Sequence, residues 1–122
     1  MKSESIGREA LRHEANAILA MADALGATFI QAVDLISAGK GRAITCGIGK
    51  SGHIARKTAG TFSSTGTPSL FLHAAEAVHG DLGMVTANDV VVLYTHSGET
   101  EEIVKLFAPI ASIGARTILI TG

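Results

Sequence analysis

The sequence predicts an α/β fold: a parallel sheet with helices on both faces. Three observations carry this. Four short apolar runs, "RAITCG", "PSLFLH", "DVVVLYTH" and "ARTILITG", are separated by segments of helical or turn character. The third run is apolar almost throughout, as in a strand covered on both sides. The first and third runs each lead into a Ser-Gly pair that opens a helix, in "CGIGKSGH" and "YTHSGETEE". Strands alternating with helices pair in parallel through crossover connections.

The elements follow in order. From Gly7 to about Ser37 the pattern is helical, with Leu11, Ala15, Ile18, Leu19 and Ala22 recurring at three- and four-residue intervals. Gly26 breaks or bends this run, and "ATFIQAVDLIS" resumes it with Phe29, Ile30, Val33 and Ile36 on one side. "AGKG" supplies a glycine stop. After the strand "RAITCG", the segment "SGHIARKTAGTFSSTG" is a helix with Ser51 near its N-cap and Gly66 past its end. "PSLFLH" is the second strand, and the polar "AAEAVHGDLGMVTAN" is a short helix or loop. "DVVVLYTH" is the third strand, "SGETEEIVKLFAPIASIG" a helix and "ARTILITG" a fourth strand. A sheet of this kind continues from such a glycine turn into another helix, so the domain is expected to be C-terminally incomplete.

Bulk properties narrow the function classes. The 122 residues suffice for one modest domain with a core. With 47% apolar and 17% charged residues, the composition is globular and not disordered. A net charge of −1 gives no general attraction to nucleic acid or to an anionic membrane. The single cysteine, Cys46, excludes an internal disulfide and fits a reducing compartment. The N-terminal "MKSESIGREALRHE" is too polar for a signal peptide, and no apolar run reaches membrane-spanning length. A cytoplasmic setting is expected.

The stretch "GIGKSGH" invites two nucleotide readings. A Walker A loop needs a glycine at position 44, where Ile44 lies inside a strand. A dinucleotide fingerprint needs an acid at the end of the second strand, where the sequence reads "SLFLH". A phosphomonoester fits better. Gly47 and Gly49 let backbone approach closely, and Ser51, Thr95, Ser97 and Thr100 offer hydroxyls on two turns. Backbone N–H groups and helix dipoles add to them. A single such turn would be no more than an N-cap. Two turns in alternating βα units converge beyond the C-terminal ends of their strands, where such sheets bind ligands.

"GIGKSGHIARK", "STGTP", "AEAVHGDLGMV", "SGETEEI" and "ILITG" resemble, in this order and spacing, the sugar isomerase (SIS) domain, and specifically the arabinose 5-phosphate isomerases. The resemblance runs from Gly41 to Gly122 and leaves residues 1–40 as an N-terminal helical segment. It implies a flavodoxin-like, five-stranded parallel sheet and a homotetramer with sites near subunit interfaces. It also implies interconversion of D-ribulose 5-phosphate and D-arabinose 5-phosphate, the step that feeds the Kdo sugar of lipopolysaccharide. No metal or other cofactor is implied, and the partners are a phosphosugar and further copies of the chain. By motif position Lys50, His79 and Glu102 match residues of family catalysis, while Ser51 and the Thr95–Thr100 turn match the phosphate cradle. The chain departs from the family in having Thr95-His96 where Ser-Asn is common. Members place a further Glu and His beyond the position of Gly122, and many add CBS domains there.

The chemistry asks for a group to open the cyclic sugar, a base to move a proton between C1 and C2, and a stabiliser of the enediolate oxygen. Glu102 sits one turn into a helix facing the phosphate, although spacing alone does not favour it over Glu101. Lys50 is suited to an oxyanion or the phosphate, and His79, in a glycine-rich loop, to proton shuttling. His73, His79, Asp81 and His53 match no standard zinc spacing. Cys46 reads as a core residue. A non-catalytic phosphosugar sensor is the alternative; it would keep the hydroxyls of Ser51, Ser97 and Thr100 and could lose Lys50, His79 and Glu102. A third reading is a fragment that folds only within a larger chain or oligomer.

Overall fold

The structure, a computed structural model, describes Lys2–Gly122. The described chain divides into two compact units at Val33–Asp34. Helix α1 (Lys2–Ala24) and helix α2 (Ala27–Ala38) are interrupted at Leu25–Gly26, where the sequence places the break. No residue of either helix is buried, although they carry Ile6, Leu11, Ile18, Leu19, Met21, Phe29 and Ile30. No single helix is long and apolar enough to cross a membrane among the described residues.

The second unit holds the sheet. Strands β1 (Ala43–Gly47), β2 (Ser69–His73), β3 (Val90–Thr95) and β4 (Arg116–Thr121) pair in parallel in the order β2-β1-β3-β4. Four strands, not five, are present among the described residues. Strand β1 is buried throughout and β3 nearly so, which fits their apolar runs and central places. Strand β4, at one edge, is mostly exposed.

The two faces of the sheet are packed differently. One face presents Ile44 and Cys46 of β1, Leu72 of β2, and Val91 and Leu93 of β3 to the main hydrophobic core. Over it lie α4 (Ala74–Ala77), a 3-10 turn (Asp81–Met84), α5 (Glu101–Val104) and α6 (Phe107–Ile113). Ile103 of α5, Ile110 of α6 and Leu106 between the two helices are its fully buried contributions from this segment. The opposite face is covered by α3 (Gly49–Ser64), tied to β1 by a 2.6 Å bond from the buried Thr45 hydroxyl to the Ala55 carbonyl. Burial pushes the Cys46 thiol up to about 12, so it is an inert core group, as expected.

Two local expectations are corrected. The segment from Ser97 to Gly114 is not one helix: Ser97–Thr100 forms a turn, and α5 and α6 are separated at Lys105–Leu106. Pro109 explains the break, because it has no N–H to bond the Lys105 carbonyl and its ring crowds that oxygen. Helix α3 starts at Gly49 with Ile48 as its N-cap, so Ser51 lies inside the first turn and is not the cap. At its other end Gly66 adopts φ 100° and the Thr67 N–H reaches the Phe62 carbonyl, the expected glycine stop.

A buried polar knot joins the segment before β1 to the segment before β3. Asp89, 2% exposed, accepts from the Arg42 N–H at 2.7 Å, the Thr86 N–H at 2.8 Å and the Thr86 hydroxyl at 3.2 Å. The Arg42 guanidinium adds a 3.2 Å ion pair and also donates to the Met84 carbonyl at 2.6 Å. Burial raises the Asp89 carboxyl, but the Arg42 and Thr86 bonds outweigh it and hold the group below its ordinary range.

Candidate functional site

The strand order places β2 on one side of β1 and β3 on the other. Chains leaving β1 and β3 therefore diverge to opposite faces, and a crevice opens between their C-terminal ends. The turn after β1 carries Gly47 to Ser51, and the turn after β3 carries Thr95 to Thr100. These are the two turns singled out by sequence.

The first turn is built on glycines with different reasons. A Cβ on Gly47 would sit 2.9 Å from the Ser51 carbonyl oxygen, so this glycine lets α3 fold back tightly on the end of β1. Gly49 faces open space but has φ 62°, a conformation costly for other L-residues. No side chain caps α3, so the N–H groups of its first turn are free of a side-chain partner. Ser51 stands half-buried among them.

The second turn is internally satisfied. The buried Thr95 hydroxyl lies 2.6 Å from the Thr100 hydroxyl and accepts from the Gly98 N–H at 3.2 Å. The Ser97 oxygen accepts from the Glu99 N–H at 3.0 Å. The Ser97 hydroxyl thus keeps its proton to donate, whereas one proton of the Thr95–Thr100 pair is spent between the two oxygens and one is left to donate outward. Gly98 has φ 75°. The His96 carbonyl accepts from the Gly122 N–H at 3.0 Å and from the Thr121 hydroxyl at 3.3 Å, which pins the turn to β4.

A cleft of about 280 Å³ joins the two turns: Ser51 and Ile54 of α3 face Tyr94, Thr95 and His96, with Ile120, Thr121 and Gly122 closing the side. Sequence reasoning missed Ile54, Tyr94 and the end of β4. Their contribution depends on the β3–β4 register, in which Tyr94 pairs with Ile120 and Thr95 with Thr121. Tyr94 is held by a 3.0 Å bond from its hydroxyl to Thr58.

Lys50, His79 and Glu102 do not line this cleft. Lys50 is exposed, next to Ser51 in the first turn of α3. His79 is exposed in the turn between α4 and the 3-10 segment, and its N–H bonds the Glu76 carbonyl. Glu102 is half-buried in the first turn of α5. All three follow the C-terminal ends of strands, on the edge of the sheet where the cleft opens. Spacing left Glu101 and Glu102 equivalent, and the structure distinguishes them. Glu101 is committed to Lys105 at 2.9 Å, whereas Glu102 has no ion pair among the described residues. His73, weighed as a metal ligand, instead caps α4 by accepting the Ala75 N–H at 3.2 Å.

The profile of the SIS domain matches residues 35–122. This chain belongs to the SIS domain family. The arabinose 5-phosphate isomerase KdsD of Pseudomonas aeruginosa is 48% identical over 109 residues, covering 89% of this chain and 33% of that protein. The arabinose 5-phosphate isomerase KpsF of Escherichia coli is 53% identical over 89 residues, covering 73% of this chain and 28% of that protein. The SIS chain thus spans about a third of the length of the curated relatives it matches. Among solved structures, an E. coli CFT073 protein in complex with arabinose 5-phosphate superposes with a TM-score of 0.86 at 43% identity, over 91% of this chain and 59% of that one. The parallel sheet with helices on both faces is the SIS fold.

Proposed function

We propose that this SIS domain binds D-arabinose 5-phosphate and D-ribulose 5-phosphate and belongs to an aldose–ketose isomerase that interconverts them. The observation that carries the reading is the cleft at the switch point of the sheet, lined by Ser51 after β1 and by Thr95 and His96 after β3, with Ser97 and Thr100 following in the same turn but outside its lining. Its likeness to proteins named as arabinose 5-phosphate isomerases, and to one solved with arabinose 5-phosphate, supplies the substrate.

In this reading the phosphate sits against the first turn of α3. It takes N–H bonds there and hydroxyl bonds from Ser51, Ser97 and the Thr95–Thr100 pair. The open-chain sugar extends from this anchor toward the rim. Glu102, free of an ion pair, removes the C2 proton of the aldose and returns it to C1, through a cis-enediol intermediate. Lys50 stabilises the enediolate oxygen. His79 moves the hydroxyl proton as the furanose ring of the aldose opens. The proposed assembly is a cytoplasmic homotetramer serving lipopolysaccharide precursor synthesis.

A phosphosugar sensor would use the same cradle without the chemistry, and the retention of Lys50, His79 and Glu102 favours the enzyme. Incubation of the chain with D-ribulose 5-phosphate in heavy water separates the two. Deuterium entering the sugar carbons, with a rate reduced about 10²–10⁴-fold in Glu102→Gln, supports the isomerase. Full exchange in Glu102→Gln removes Glu102 as base, and tight binding with no exchange in the parent chain supports the sensor.

A further inference from the structure

We propose that His96 is a phosphate-binding residue, whose imidazolium form adds a charge-assisted contact to the phosphoryl dianion; this rests on the phosphosugar reading above. His96 lines the cleft together with Ser51 and Thr95. The turn's other polar side chains already carry internal bonds: Thr95 with Thr100 at 2.6 Å, and Ser97 with the Glu99 N–H at 3.0 Å. The His96 imidazole has no hydrogen bond or ion pair among the described residues; the Glu99 carboxylate has none either, but of the two only His96 lines the cleft.

Its position is fixed from outside the turn. The backbone carbonyl is held by the Thr121 hydroxyl and the Gly122 N–H. The ring lies against Gly122 so closely that a Cβ there would meet Nδ1 at 2.6 Å. The exposed imidazole therefore packs beside Gly122, just past the end of β4.

The surrounding charges leave a role for it. Among the described residues no Asp, Glu, Lys or Arg lines the cleft, and Tyr94 is the other titratable side chain there. Lys50 adjoins Ser51 on α3, and Glu99 lies three positions beyond His96; both are exposed. A dianion in the cleft is otherwise met by neutral N–H and O–H donors. A protonated imidazole facing a phosphoryl dianion makes a charge-assisted contact, stronger than one from a neutral donor. Binding of the dianion then favours the protonated ring.

The test is calorimetric titration of the chain and of His96→Asn with D-arabinose 5-phosphate at about pH 6 and about pH 8, with His96 followed by NMR. At the lower pH His96→Asn should weaken binding about tenfold; at the higher pH the two proteins should bind alike. The His96 resonance should titrate at higher pH once the sugar phosphate is bound. Equal affinities at both pH values, or a His96 midpoint unmoved by ligand, overturn the proposal and leave the phosphosugar reading intact. An equal loss at both pH values with a perturbed amide spectrum assigns His96 a structural role and also overturns it. If the parent chain fails to bind while inorganic phosphate and the sugar phosphate are both supplied at high concentration, the phosphosugar reading falls and takes this one with it.

Discussion

Asp89 keeps a carboxylate charged in a site that is 2% exposed, and it can do so because donors surround it. Its carboxyl in the folded chain lies below the ordinary 3.8, so the unfolded chain binds the proton more readily. The stability it contributes is therefore complete above the ordinary carboxylate range and is lost as pH falls through the folded value. Asp89→Asn removes the charge and is expected to cost about 2 kcal/mol at neutral pH. It should also flatten the acid limb of a denaturant-midpoint against pH curve; an unchanged acid limb would assign that loss to other carboxylates. Gly41 belongs to the same knot: a Cβ there would lie 2.5 Å from the Asn88 carbonyl oxygen and 2.6 Å from Asp89 Oδ1. Neither Arg42 nor Asp89 stands out in the sequence, because the bond between them spans 47 positions of chain.

Among the elements, α3 decides the shape of the site, since its first turn supplies one wall of the cleft. Small residues let it approach the sheet: Gly52, Ala55 and Ala59 are its buried positions. At that contact the Thr45 hydroxyl bonds the Ala55 carbonyl at 2.6 Å. Thr45→Val preserves shape and removes the bond, and should cost about 1 kcal/mol in urea denaturation. Faster amide exchange in α3 than in β3 would accompany it, and unchanged stability would show that packing alone seats the helix. The helices on the other face are less regular. The break at Lys105–Leu106 has no unique mark in the sequence, since Pro109 also fits the first turn of a helix. Periodicity spread over Ile103, Leu106 and Ile110 reads as one continuous apolar stripe whether or not the axis is broken.

For the whole molecule, the exposed apolar residues of α1 and α2 set an expectation about assembly. Leu11, Ile18, Leu19 and Phe29 are each more than half exposed, a load that isolated soluble chains rarely carry contiguously. Association of copies through these helices fits the proposed homotetramer. The chain should elute as an oligomer in light-scattering chromatography, and Ile18→Glu with Leu19→Glu should shift it toward monomer while the sheet's circular dichroism persists. A monomeric parent chain would remove these helices as an association surface.

The sequence by itself determined the alternation of strands and helices, the breaks at Gly26 and Gly66, and the Ser-Gly turns that follow the first and third strands. These are local properties: side-chain periodicity, glycine conformation and the direct passage of strand into helix act over a few residues. That the first and third strands are the central pair is a property of the sheet. Tertiary structure decided which groups of those turns are already spent, that Ser51 sits inside α3 and not at its cap, and that Glu101 pairs with Lys105 while Glu102 stays free. It also brought the end of β4 against His96. Hydrogen-bond partners and strand registers join residues distant in sequence, and periodicity holds no record of which partner a polar group will find.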